Sequence, residues 1–95
     1  GLRYEVQDDD YTLLIDSGKK GSRIILPPAA NNKGRILVLK KLNSDKYKLN
    51  SGPVSVEALE GAIDISEKII IKMNYSSRTL QSDGENWWII ASKGT

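Results

Sequence analysis

Apolar residues along the chain come in short runs rich in Ile, Val and Leu, broken by Gly, Pro, Asn, Asp or Ser at intervals of roughly eight to twelve residues. That spacing leaves no room for a series of amphipathic helices and is the pattern of an all-β domain. Strands are predicted over 3–7, 11–16, 22–26, 35–41, 47–50, 54–56, 67–73, 77–82 and 86–92. Turn chemistry separates them: Gly18 and Gly21, Asn31 to Gly34, Asn50 to Pro53, and Asp83-Gly84 all tolerate or preset the backbone of a turn. Pro27-Pro28 ends the strand before it, because neither residue donates to a ladder. The one helical leaning, VEALEGA over 56–62, is interrupted by Gly61 and reads as a loop or brief 3₁₀ segment. The strand-turn-strand units recur with no fixed period, so they are not repeats. The fold expected is a small antiparallel β-sandwich or barrel of about eight or nine short strands.

Several strands break the simple alternation of a half-buried strand. Ile24-Ile25-Leu26, Ile36-Leu37-Val38-Leu39, Ile69-Ile70-Ile71 and Trp87-Trp88-Ile89-Ile90 are apolar on both faces. In a chain this small one face can be covered by a second sheet, and the other then needs a partner surface or loops folded over a closed barrel. Oligomerisation, with Ile69, Ile70, Ile71 and Met73 as candidate interface residues, is the economical reading. Strand parity also puts Trp87 and Trp88 on opposite faces, so that Trp87 in the core would leave Trp88 outside.

Ninety-five residues make one small domain, spanning 1–95, with a limited core. Its 14 Lys and Arg against 12 Asp and Glu give a net charge of +2, with the basic residues scattered, so a nucleic-acid partner has no electrostatic support. With no cysteine there is no disulfide or thiolate metal site, and with no histidine the commonest general base and zinc ligand are both missing. No apolar run approaches the ~18 residues of a membrane span, which argues against membrane insertion. The leading Gly1, without a starting Met, reads as a piece of a longer chain.

Candidate chemistry is sparse. Asp8-Asp9-Asp10 lacks the alternate spacing and turn glycine of a calcium loop and reads as a solvated turn, so no metal is expected. The other acids sit mainly at turns, no nucleophile-base arrangement or phosphate-cradling loop is present, and the chain reads as no enzyme and as carrying no cofactor. All aromatics are Tyr or Trp, each with a polar handle that suits interfaces and sugar surfaces as well as core edges. Candidate glycan-binding residues are Tyr47, Tyr75 and Trp88 as stacking faces, with Asn50 and Arg78, and also Asp83, supplying hydrogen bonds.

Four stretches in order, Asp10 to Asp16 (DYTLLID), Arg23 to Ala29 (RIILPPA), Gly34 to Lys41 (GRILVLKK) and Ser77 to Ile90 (SRTLQSDGENWWII), resemble a small β-domain of viral and phage tail-fibre and attachment proteins. The corresponding family stretches look like DYTLLVD, ITITLPPA, GRxYxIKK and SVTLxSDGxNWYII. The likeness runs from Asp10 to Ile90 and departs in the middle, at Tyr47 to Pro53 and Glu60-Gly61, and at Trp88, where Tyr is more usual. It implies a β-module of a trimeric fibre or attachment protein at the virion surface, whose motifs are turns, a strand stop and buried strands. The expected function is a non-enzymatic, trimerising attachment module that contributes to recognition of a host-surface glycan or cell-wall polysaccharide. The alternatives are a pure trimerisation cap, or a monomeric carbohydrate-binding module of a secreted bacterial protein.

Overall fold

The computed structural model describes residues 2–43 and 51–94. The strand predicted over 47–50, with candidate residues Tyr47 and Asn50, lies outside the described residues. Eight strands follow in chain order: β1 (Leu2–Glu5), β2 (Thr12–Asp16), β3 (Ser22–Leu26), β4 (Ile36–Leu42), β5 (Val54–Ala58), β6 (Lys68–Ile71), β7 (Ser77–Ser82) and β8 (Trp87–Lys93). One 3₁₀ turn, Ala29–Asn31, follows the Pro27-Pro28 stop. The segment with helical leanings enters β5 instead, which carries on to Ala58: Val54 and Val56 bury on one face, and the sheet takes up Glu57 and Ala58. Among the described residues no helix is long and apolar enough to cross a membrane.

Two four-stranded sheets form, in the orders β1-β3-β5-β6 and β2-β4-β7-β8. Through β5 the chain alternates between them, so strands two apart in sequence become parallel neighbours: β1 with β3, β3 with β5, and β2 with β4. The fold is therefore all-β with mixed sheets, and the antiparallel expectation holds only for β5–β6, β4–β7 and β7–β8. A Gly-containing turn reads the same in sequence whether the chain doubles back within one sheet or crosses to the other layer, and only the first gives antiparallel neighbours. Leu2 stands beside Ser22 and Ser22 beside Val54, so one winding takes 20 residues (2 to 22) and the next 32 (22 to 54). Unequal windings leave no period in the sequence.

Side chains from the two inner faces fill the space between the sheets. Val6, Ile24, Leu26, Val54, Val56 and Ile71 meet Ile15, Leu37, Leu39, Leu80 and Trp87 in one cluster. Trp87 is fully buried and its indole N–H donates to the Pro27 carbonyl at 3.0 Å, so the strand stop supplies the one polar partner this ring needs. Ile63, between β5 and β6, bridges to Trp87 and joins the core. Asp64, in the left-handed region at φ 56, accepts the Ile89 N–H at 2.9 Å on its carboxylate. Together these contacts cover the start of the β8 edge, which would otherwise offer free backbone groups.

The same end of the sandwich gathers all four sequence stretches singled out above. Arg35 donates to the Gln7 and Asp10 carbonyls, both at 2.6 Å, and to Asn32 Oδ1 at 3.0 Å. Gly34 N–H reaches the Ser82 carbonyl at 2.8 Å, while Ser82 Oγ donates to the Ala29 carbonyl at 2.8 Å. Asp10 Oδ2 accepts Tyr4 O–H at 2.6 Å and Gln7 N–H at 2.8 Å, with the tyrosine hydrogen bond first among the causes that hold this carboxyl below its ordinary range. These residues tie loops to strands rather than face a ligand.

Candidate functional site

The outer faces of the two sheets differ in kind. On the first sheet Arg3, Glu5, Arg23, Glu57 and Lys68 point outward. Arg3 pairs with Glu5 at 3.4 Å and Arg23 with Glu57 at 2.8 Å. The hydrogen bond from Arg23 is the leading cause that lowers the Glu57 pKa. Ion pairs of this exposed sort add little stability but keep a sheet face wet and soluble.

On the second sheet β4 alternates fully buried Leu37, Leu39 and Lys41 with half-buried Ile36, Val38, Lys40 and Leu42, so the second set lies on the outer face. Register adds Thr12 and Leu14 from β2, Thr79 and Gln81 from β7, and Trp88 from β8. At the irregularity between Thr79 and Leu80, Ile90 is the extra residue of β8, and it too is exposed. Leu14 is 64%, Ile90 52% and Trp88 39% exposed. Six large apolar side chains thus share one face, with Lys40 as the charge of its central strands and Asp16 and Lys93 as those of its edge strands.

Trp88 is held on this face by its hairpin. Its Nε1 donates to Asp83 Oδ2 at 2.8 Å, while Asp83 Oδ1 accepts the backbone N–H groups of Glu85 and Asn86, both at 2.8 Å. Those backbone hydrogen bonds, Asn86 first, and then the indole hold the Asp83 carboxyl below its ordinary range. A carboxyl whose folded pKa is depressed contributes its share above the unfolded pKa and loses it as pH falls through the folded one. The Trp88 indole is therefore expected to keep its orientation down through the ordinary carboxylate range and to be released only below it. The difference in fluorescence between the wild type and Trp88→Phe during an acid titration checks this.

No family model matches the chain, and no curated protein does.

Among the described residues the structure joins Trp88 to Asp83 but sets Arg78 and Tyr75 apart from them. Arg78 lies beside Leu39 on the core side of β7, its Nη1 donating to the Ser77 carbonyl at 2.8 Å. Trp88 lies on the opposite side, beside Gln81, four residues further along β7 than the Ser77 end, or about 13 Å at strand rise. Tyr75, at φ 65 and half-exposed, stands beyond the Ser77 end, with its hydroxyl on the Asn43 carbonyl at 3.2 Å. The candidate interface residues also divide. Ile71 is fully buried and Ile69 packs against the core, because the register of β6 sets them beside Val54 and Val56 on the inner face. Ile70 and Met73 remain exposed.

One polar constellation went unnoticed in the sequence. Lys41 is fully buried, on the face it shares with Leu37 and Leu39, and its Nζ donates to Ser51 Oγ and to Asn74 Oδ1. Ser51 Oγ itself donates to Asn74 Oδ1 at 2.6 Å. Backbone bonds frame the group: Tyr75 N–H to the Lys41 carbonyl at 2.7 Å, and Lys41 N–H to the Ser76 carbonyl at 3.0 Å. Burial lowers the Lys41 pKa, against an opposing pull from the Asp16 charge. The signal was available: the alternation that sends Leu37 and Leu39 inward also sends Lys41 inward.

Elsewhere, an apolar cleft of about 230 Å³ opens between β1 and β2 and is lined by Leu2, Tyr4, Leu13, Leu14, Ile15 and Ile24. Among the described residues no three acidic side chains gather as a cation site would need.

Proposed function

We propose that this domain is a non-enzymatic assembly module of a viral attachment or tail-fibre protein, which trimerises through the outer face of its second sheet and contributes to recognition of a host-surface glycan. The observation that carries the reading is the contrast between the two outer faces. One is laced with ion pairs, and the other presents Leu14, Ile36, Val38, Leu42, Trp88 and Ile90 around one central charge, Lys40, with Asp16 and Lys93 at its edges. An apolar face of this size on so small a domain favours a partner surface, and a threefold arrangement turns one such face per protomer toward the axis. Trp88, on the edge strand β8, then stands at the border of that face, where clefts between protomers offer its ring to a sugar.

Light scattering of the isolated chain at micromolar concentration is expected to give a trimer. Val38→Asp sets a carboxylate in the middle of the face and is expected to yield a folded monomer with unchanged circular dichroism, since Val38 contributes nothing to the inner core. A monomeric wild type overturns the reading and leaves the monomeric carbohydrate-binding module. The second reading, a trimerisation cap without its own receptor site, is favoured by the separation of Trp88, Arg78 and Tyr75. Trp88→Ala that still assembles but no longer retains the protein on host cell walls supports glycan recognition, and unchanged retention supports the cap.

A further inference from the structure

We propose that Lys41 and Asn74 become joined after folding by an intramolecular isopeptide bond, which cross-links the end of β4 to the turn before β7. The geometry that points to it is the triad Lys41, Ser51 and Asn74. Lys41 Nζ touches Asn74 Oδ1, and the amide carbon is one bond from that oxygen. The amine is thus held within roughly 3.5 Å of the carbon it would attack, the range of a near-attack arrangement. Both oxygens that accept from Nζ, Ser51 Oγ and Asn74 Oδ1, belong to neutral groups, and the side chain is fully buried. An amine in such surroundings is desolvated, and burial favours the neutral form, the form that is a nucleophile.

Ser51 touches both reacting groups, which gives it a catalytic role. Its hydroxyl donates to Asn74 Oδ1 at 2.6 Å, where negative charge develops as Nζ adds to the amide carbon. Its Oγ accepts from Nζ, so it can take up the proton that the amine sheds. The Nζ–Cγ bond forms and the Cγ–Nδ2 bond breaks. The amine proton passes to Ser51 Oγ as the hydroxyl hands its own to Oδ1, and the Oδ1 proton moves on to Nδ2 as the tetrahedral intermediate collapses, so Nδ2 leaves as ammonia with the electron pair of the broken bond. A secondary amide remains, and no oxidant, reductant or further reactant is consumed.

Intact-mass spectrometry of the purified, folded protein tests this. The wild type is expected to be about 17 Da, one ammonia, lighter than its sequence requires. Lys41→Arg and Asn74→Ala are each expected at their full sequence mass. Digestion with trypsin is expected to release a branched peptide in which the segment 41–46 is joined to 73–78, because a linked Lys41 is no longer a cleavage site. A wild type at full sequence mass overturns the proposal. So does an ammonia loss that persists in Lys41→Arg with linear peptides only, the mark of ring closure between Asn74 and the Tyr75 nitrogen. The peptide map is read on the wild type itself, so it stands even if a variant fails to fold.

Discussion

Trp87→Ala is expected to destabilise the domain by about 3–5 kcal/mol, and Trp88→Ala by less than about 1 kcal/mol. Trp87 is fully enclosed by the cluster that joins the two sheets, and Ile63 reaches in from its loop to meet it. Truncation removes the largest buried side chain in the protein and leaves a void bordered by strands of both layers. It also leaves the Pro27 carbonyl without its indole donor. Against a total stability of roughly 5–15 kcal/mol such a loss is a large share. Trp88 stands on the outer face, tied only to Asp83 at an exposed hairpin, so its removal opens no cavity. Urea midpoints at constant slope measure both variants under conditions that keep the chain monomeric. Equal costs for the two tryptophans would contradict the placement of Trp87 in the core.

The contrast between these neighbours was legible in the sequence as far as parity goes: adjacent strand residues face opposite ways, and one of the two had to leave the core. Parity also settles which residues of β4 share a face, and strands such as β3, β4, β6 and β8 fall where short Ile- and Val-rich or Trp-containing runs are bounded by turn residues, whereas β1 and β7 carry no Ile or Val. What it left open was the layer to which each strand returns. Hydrophobic alternation specifies an inner and an outer face but not the neighbour along the ladder, and the crossings between sheets share their turn residues with hairpins. The parallel ladders β1–β3, β3–β5 and β2–β4 could not be read for that reason.

Apolar runs on both faces of a strand imply a covered outer surface, and the structure distributes them unequally. Ile36 and Val38 with Trp88 and Ile90 do share an uncovered face. Ile25, in contrast, is buried on the outer side of the first sheet, between Glu5 and Glu57 in register, and the alternation in β6 spends Ile69 and Ile71 inside. A run of apolar residues therefore does not say which of its faces finds a partner. Aromatic type was a poorer guide to a site than parity: Arg78 and Trp88 are both plausible sugar contacts by chemistry, yet β7 and β8 point them to opposite sides. Lys41 runs against the usual preference of lysine for the surface, yet its position in β4 puts it inward with Leu37 and Leu39.

Gly52→Ala is expected to cost about 3 kcal/mol or more and to lower the thermal midpoint by more than about 12 °C. A methyl group there would stand 2.2 Å from the Gly21 nitrogen and 2.7 Å from the Lys19 carbonyl oxygen, all of it backbone with no side chain to yield. Neither segment is free to retreat. Gly52 N–H is bonded to the Gly18 carbonyl at 2.6 Å, Ser17 Oγ to the Gly52 carbonyl at 2.6 Å, and Ser22 N–H to the Pro53 carbonyl at 3.0 Å, so a shift breaks hydrogen bonds that begin β3 and β5. Gly18→Ala is the control: its φ of 61 is strained for alanine, but its Cβ meets nothing within 4 Å, and the expected cost is only about 1–2 kcal/mol. Because Ser51 precedes Gly52, the displaced segment also carries its hydroxyl away from Lys41 and Asn74. Gly52→Ala is therefore expected at full sequence mass where Gly18→Ala shows the loss of ammonia, so that one pair of variants reads both the backbone crossing and the covalent link it positions.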